Sequence, residues 1–336
     1  MRIRHLNTAD RVVVVAELGN NHEGDFARAR AMVRAAAECG ADAVKVQAFR
    51  TEDFVSPSDA ARFARLQGFE LAPEQFRVLA DDARAAGVGF VTTPLDLGSA
   101  DALEPFVDAF KVASSDLAFF PLLERLARSP KPLILSTGLS ALEEVERAAA
   151  FVARHRAPGA ELAILHCVSA YPTPPGQAQL GAIRALRQRF DAVIGYSDHT
   201  TGIDAAVLAV GAGARIIEKH FTLDKAQSDF RDHQLSADPP ELRELIARVR
   251  LAEAMVGDEI KAVAACAADS VSVLQRSIAA AADLPRGHRI AAGDLRWVRP
   301  GGGYPAGRES ELVGRVLARG VASGIRFTPD DLASES

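Results

Sequence analysis

Two histidines, two lysines and a glutamate stand where short apolar runs give way to polar residues, a set of types suited to holding a metal ion and an anion. His199 and His220 each lie one or two residues past the end of such a run, on what would be the seventh and eighth strands of one sheet. Neighbouring strands are about 4.8 Å apart, so two imidazoles there could share one ion, with Glu17 on the strand that closes the ring beside them. A single histidine is as well explained by a hydrogen bond within a core; two at the same end of consecutive strands favour a metal. Imidazole with carboxylate or water suits Mn, Fe, Co or Zn and leaves positions open for substrate. Lys45 and Lys111 lie within apolar runs, where an unpaired ammonium is costly. Each therefore needs a carboxylate, with Asp42 and Glu218 in reach, or a bound anion. Ser114, Ser136, Thr137 and Ser169 at neighbouring run ends make a phosphate or carboxylate ligand the economical reading, although small polar residues also cap helices. A lysine so placed could instead form a Schiff base with a ketone, so an aldolase stays open.

These groups have to be positioned, and up to about residue 255 the chain repeats one pattern that can do it. The apolar runs are VVVVAEL (12–18), DAVKVQ (42–47), VGFVTT (88–93), AFKVAS (109–114), PLILST (132–137), LAILHC (162–167), AVIGYS (192–197) and RIIEKH (215–220). Several are continuous, as strands buried on both faces are. Amphipathic helix patterns lie between them, and Gly40, Gly87 and Gly213 follow such patterns where a helix end wants positive φ. Eight strands alternating with helices in roughly 250 residues suit a (β/α)8 barrel. A doubly wound open sheet competes, but no G-x-G-x-x-G follows the first strand. A barrel puts its chemistry at the C-terminal ends of its strands, and those ends read Glu17, Lys45, Gln47, Thr93, Lys111, Ser114, Ser136, Thr137, His166, Ser169, Ser197, Asp198, His199, Glu218, Lys219 and His220. After residue 255 the pattern changes. Residues 256–273 read as a linker with some helix, and 274–336 as a small β-containing domain with turn signals and a glycine-rich loop.

Composition narrows the function classes. A net charge of −5 gives no basic face for nucleic acid. Cys39, Cys167 and Cys266 are odd in number and far apart, which argues against a disulfide framework and for a reducing, cytoplasmic setting. The apolar stretch near the N-terminus is interrupted by Glu17 and is too short for a signal-peptide core or a membrane span.

The strings AELGNNHEGD (16–25), DAVKVQAF (42–49), FVTTPLD (90–96), FKVASSD (110–116), LSTG (135–138), LHCVSAYPTPP (165–175), IGYSDHTTGI (194–203) and IEKHFTLDKA (217–226) resemble the sialic acid (N-acetylneuraminate) synthase family. The resemblance continues through RSIAAAADLPRGHRI and WVRPGGGYP, which looks like the antifreeze-like SAF domain that ends those enzymes. It implies an α/β fold, a TIM barrel (1–255) with a β-rich SAF domain (274–336), and a domain-swapped homodimer in which one SAF lobe closes the other subunit's site. It also implies condensation of phosphoenolpyruvate with an open-chain aldose, N-acetylmannosamine or a related amino sugar, giving a nonulosonic 2-keto acid and phosphate. His199 and His220 match metal ligands, usually for manganese, with magnesium, cobalt or zinc as alternatives. Glu17 matches an acid/base beside the metal. Lys45, Lys111, Ser114, Ser136, Ser169 and Ser197 match the phosphoenolpyruvate set; at Ser169 members carry either serine or asparagine. Asp232 aligns with the family's sugar loop and Arg299 matches the arginine that reaches across the dimer to the sugar's acyl group; Gln47, Tyr171 and Arg231 are further sugar-binding candidates of this chain. In the implied reaction C3 of phosphoenolpyruvate attacks the polarised aldehyde, water adds at C2, and phosphate leaves by C–O cleavage without a Schiff base.

One stretch departs from the family pattern. In DKAQSDFRDHQLSADP (224–239), Phe230 and Arg231 replace a Gly-Pro pair. Drift in a surface loop accounts for that as a bland reading. The sharper reading is a different acceptor, one whose phosphate or carboxylate Arg231 could pair with. A metal-dependent aldolase or hydrolase on the same barrel, and a binding protein that kept the scaffold, are the competing functions.

Overall fold

The computed structural model describes residues 1–258 and 260–334. Position 259 of the expected linker and positions 335–336 of the expected C-terminal domain lie outside the described residues. The chain divides between Gly257 and Asp258 into two compact units.

In the first unit, eight parallel strands close into a barrel. They are β3 (Val13–Gly19), β4 (Ala43–Ala48), β5 (Gly89–Pro94), β6 (Ala109–Val112), β7 (Leu133–Ser136), β8 (Leu162–Cys167), β9 (Val193–Asp198) and β10 (Ile216–His220), and β10 pairs back onto β3. A short hairpin, β1 (Arg2–Ile3) and β2 (Leu6–Asn7), precedes them. Side chains alternate across a strand, so each barrel strand sends every second residue inward. The inward residues near the strand starts are apolar: Val13, Val15, Ala43, Val91, Ala109, Ile134, Ala163 and Ile216, which pack with Met1, Ile3 and Leu6 of the hairpin. The outward residues, such as Val14, Val44, Phe90, Phe110, Leu135, Ile164 and Ile217, pack against the surrounding helices. Two cores back to back explain why the runs are continuously apolar. Gly195 is required by this inner packing, because a Cβ there would meet the Ile216 carbonyl oxygen and Leu165, each at 2.5 Å.

The helices follow local rules. Phe26–Glu38 begins at Asp25, whose side chain accepts the Arg28 N–H, and it buries Ala29, Met32, Val33 and Ala36 along one face. It ends before Gly40 at φ 93°, and Gly87 and Gly213 occupy the same left-handed region at 81° and 102°. Asp42 does not pair with either lysine of the barrel. It precedes β4 at the strand-start end, accepts the Val14 N–H at 2.7 Å, and forms ion pairs with Arg250 at 2.6 Å and with Arg11.

In the second unit, β11 (Ser277–Ala280) pairs antiparallel with β12 (Leu295–Val298) over a core of Ile278, Leu284, Ile290, Leu295, Leu312, Leu317, Val321 and Phe327. A helix, Ala268–Leu274, precedes β11. In the glycine-rich loop, Gly303 at φ 73° lies so close to the Phe327 carbonyl oxygen that a Cβ would stand 2.1 Å from it. Among the described residues no helix is long and apolar enough to cross a membrane. Cys39, Cys167 and Cys266 are free thiols.

Candidate active site

Near the strand ends the inward series turns polar. On β3, Glu17 follows Val13 and Val15; on β4, Lys45 and Gln47 follow Ala43. Lys111 follows Ala109, Ser136 follows Ile134, and Glu218 and His220 follow Ile216. Register places these groups side by side, with His220 opposite Glu17, Glu17 opposite Lys45, and Ser197 opposite Glu218. His220 is the last residue of β10 rather than a residue beyond it, because the strand stays paired with β3 up to Glu17.

A cavity of about 840 Å³ opens here and is lined by Glu17, Lys45, Gln47, Lys111, Ser114, Ser136, Ser169, Tyr171, Ser197, His199, His220, Arg231 and Asp232. Arg299 belongs to the second unit and immediately follows β12. Four strand-end residues read from the sequence face away from the cavity, among them Asp198 and Lys219, which pair with each other at 2.9 Å. Thr137 donates its hydroxyl to the Leu165 carbonyl, and His166 bonds the Ala178 carbonyl at 2.8 Å and stacks on Tyr196. Both occupy outward positions, as the two-residue period requires.

The lysines and glutamates form one buried network. Lys45 lies 3.1 Å from Glu17 and 3.4 Å from Glu218, and Lys111 lies 3.2 Å from the same Glu218 oxygen. Ser197 donates to that oxygen at 2.9 Å, so three donors converge on it. Burial alone would raise the Glu218 carboxyl, but Lys111, Lys45 and Ser197 together hold it well below the usual range. Glu17 has less support; burial dominates over Lys45 and pushes it up to about 7. Burial opposes the charge of Lys45, yet its two carboxylates keep the ammonium form favoured, whereas burial prevails at Lys111 and lowers it. Glu218 is thus the carboxylate partner expected for the lysines, and only the sharing of one of its oxygens by Lys45, Lys111 and Ser197 goes beyond what residue types at strand ends disclose. Its parity with Ser197 and Lys111 on the inner face was the available signal.

Beside the network, Gly138 leaves room for three small polar side chains. A Cβ on it would stand 2.6 Å from Ser169 Oγ, 2.9 Å from Cys167 Sγ and 3.1 Å from Ser114 Oγ. Its N–H donates to Ser114 Oγ at 2.9 Å, and Ser136 Oγ is buried without a hydrogen-bond partner. Two ammoniums and this open group of hydroxyls make a cradle for a small anion.

The two imidazoles complete the site. Their ring centres are 5.3 Å apart, and the Tyr171 ring lies 4.2 Å from that of His199. Burial lowers the His199 pKa to about 4 and that of His220 well below its ordinary value, so both rings are neutral. The Val168 carbonyl at 2.8 Å accepts from His199 Nδ1, which leaves Nε2 with its lone pair, and His220 Nδ1 is buried with no hydrogen-bond partner. Neutral nitrogen donors at this spacing fit a divalent ion with bonds of about 2.1 Å. Among the described residues no group of three or more His, Cys, Asp or Glu is arranged to hold a metal. An ion here would rest on the two histidines, with its other positions open.

A model of the NeuB family matches residues 32–261, and a SAF domain model matches residues 275–333. The chain is 33% identical to the N,N'-diacetyllegionaminic acid synthase of Campylobacter jejuni, over 92% of this chain and 96% of that protein. It is 33% identical to the N-acetylneuraminate-9-phosphate synthase of Homo sapiens, over 90% and 88% respectively. Among solved structures, the N-acetylneuraminic acid synthetase of Leptospira borgpetersenii in complex with citrate superposes with a TM-score of 0.76 at 31% identity. That likeness covers 81% of this chain and 94% of the other.

Proposed function

The chain belongs to the NeuB family and ends in a SAF domain, and from that premise we propose that this enzyme condenses phosphoenolpyruvate with an open-chain amino sugar to give a nonulosonic 2-keto acid and phosphate. The observation that carries the proposal is the pairing, in one cavity, of the ammonium-and-hydroxyl cradle with two neutral histidines.

Phosphoenolpyruvate enters the cradle with its charged groups toward Lys45, Lys111, Ser114, Ser136, Ser169 and Ser197. An ammonium has three donors, so Lys111 can keep Glu218 and still meet an anion, whereas Lys45, which faces Glu17, Glu218 and the Thr93 hydroxyl at 3.2 Å, would exchange the hydroxyl for the anion. Glu218 thereby fixes both lysines in position before substrate arrives. His199 and His220 would hold a divalent cation, manganese by the family resemblance, which when bound supplies Lewis-acid polarisation of the aldehyde oxygen. Glu17, between His220 and Lys45, is placed to hold or deliver a proton at that oxygen as C3 forms the new bond. Gln47, whose amide lies 3.4 Å from Glu17 and which accepts from Asn20 at 2.9 Å, orients the acid. Water adds at C2, and as the tetrahedral intermediate collapses with C–O cleavage to the 2-keto acid, the two ammoniums balance the charge on the departing phosphate. Lys45, an ammonium between two carboxylates, is in the wrong form for an imine, which leaves Lys111 as the lysine that the Schiff-base alternative would need. The proposal includes a homodimer in which Arg299 of the partner subunit meets the sugar.

The test is phosphate release from phosphoenolpyruvate across a panel of N-acylated aldoses, with and without added divalent metal. Release that requires both the sugar and the metal supports the proposal. A sugar product formed from pyruvate, with phosphoenolpyruvate untouched, would make the protein an aldolase.

A further inference from the structure

The outer part of the same cavity carries a second set of cations. Helix Ala60–Gln67 follows the β4 loop and brings Arg62 and Arg65 to the cavity wall, where both are exposed, whereas Lys45 and Lys111 are only 4% and 3% exposed. Residues three apart share a helix face, so the two guanidiniums stand together. The Arg62 guanidinium lies over the Phe54 ring at 5.6 Å, and neither arginine has an ion-pair partner among the described residues.

Arg231 joins them from the loop that departs from the family pattern. Its guanidinium stacks over Tyr171 at 4.6 Å, and its side chain is 70% exposed. The Phe230 ring beside it anchors the loop edge-on against Phe69, with centres 5.5 Å apart. Three acids share this wall, and two are engaged. Asp59 accepts the Arg62 N–H at the helix start, and Asp232 is buried 3.4 Å from Arg231, leaving Asp229 exposed.

Tyr171 therefore touches both ends of the site: its ring centre lies 4.2 Å from that of His199, at the aldehyde end, and 4.6 Å from the Arg231 guanidinium. The His199 ring and the Arg231 guanidinium thus lie within about 9 Å of each other, a span that an open six-carbon chain bearing a phosphate can bridge. Guanidinium groups bind phosphate in a fork that lysine cannot reproduce. We propose that the acceptor sugar carries a phosphate ester remote from its aldehyde, held by Arg62, Arg65 and Arg231. This rests on the condensation proposed above and narrows its acceptor to a class.

The experiment measures phosphate released from phosphoenolpyruvate with N-acylated hexosamines, each supplied as the neutral sugar and as its 6-phosphate. The expected wild-type result is a kcat/KM for the phosphate ester at least about tenfold above that for the neutral sugar. In Arg62→Gln/Arg65→Gln, and separately in Arg231→Met, that preference falls about tenfold. Arg62→Lys/Arg65→Lys keeps part of it, because charge survives while the fork is lost. Turnover of the neutral sugar in preference to the ester, or a preference that the glutamine and methionine variants leave unmoved, overturns this inference and leaves the condensation standing. No sugar-dependent release with either form overturns both.

Discussion

Burial favours the neutral form of His199 and His220 and leaves one buried His220 nitrogen without a partner, so the two rings should act as a unit. His199→Ala and His220→Ala are each expected to lose bound divalent metal in elemental analysis of the purified protein and to lower sugar-dependent turnover about 100-fold or more. Metal lost with turnover retained would refute the assigned role. Gly138 makes a different prediction. A methyl group there drives into Ser169, Cys167 and Ser114 at 2.6–3.1 Å, so Gly138→Ala should raise KM for phosphoenolpyruvate by about tenfold to 100-fold. The melting temperature should move little by comparison, since the displaced atoms are at the open end of the barrel.

Strand parity explains what could be read in advance and what could not. The eight apolar runs and the polar groups at their ends located the barrel, and adjacency of β10 and β3 put Glu17 beside His220. Run ends by themselves do not say which of two consecutive polar residues points inward. Glu218 faces the cavity and Lys219 faces the helices, where it pairs with Asp198 at 2.9 Å while Tyr196 and the Thr200 N–H also bond Asp198. The same strand-end pattern puts His166 and Thr137 at the mouth, whereas both lie on the outer face. The Lys219–Asp198 pair joins β10 to β9, the two strands that present the histidines. Its side chains are 1% and 0% exposed, so Lys219→Met strands a buried carboxylate and should cost about 3–5 kcal/mol, visible as a large drop in melting temperature. Adding Asp198→Asn removes the stranded charge and should recover much of that loss; equal melting temperatures for wild type and Lys219→Met would contradict the account. The arginines of helix Ala60–Gln67 had no signal in the sequence, because an eight-residue helix inserted after a strand carries no indication of which wall it will cover.

At the scale of the molecule, a barrel unit and a SAF unit are each built around their own core. The barrel therefore has the apolar packing to fold by itself, and truncation near residue 270 tests what the second unit contributes. The expected outcome is a folded barrel that retains metal and phosphoenolpyruvate binding but turns over sugar at least about tenfold more slowly, because Arg299 is gone. Undiminished turnover would remove the SAF unit from the reaction. The central claim concerns the bond that breaks. Phosphoenolpyruvate labelled with ¹⁸O in its bridging oxygen, incubated with enzyme, divalent metal and acceptor sugar, can be followed by ³¹P NMR. The account predicts sugar-dependent release of phosphate that carries the label, since C–O cleavage sends the bridging oxygen out with phosphorus. Unlabelled phosphate, or release that is independent of the sugar, would contradict it.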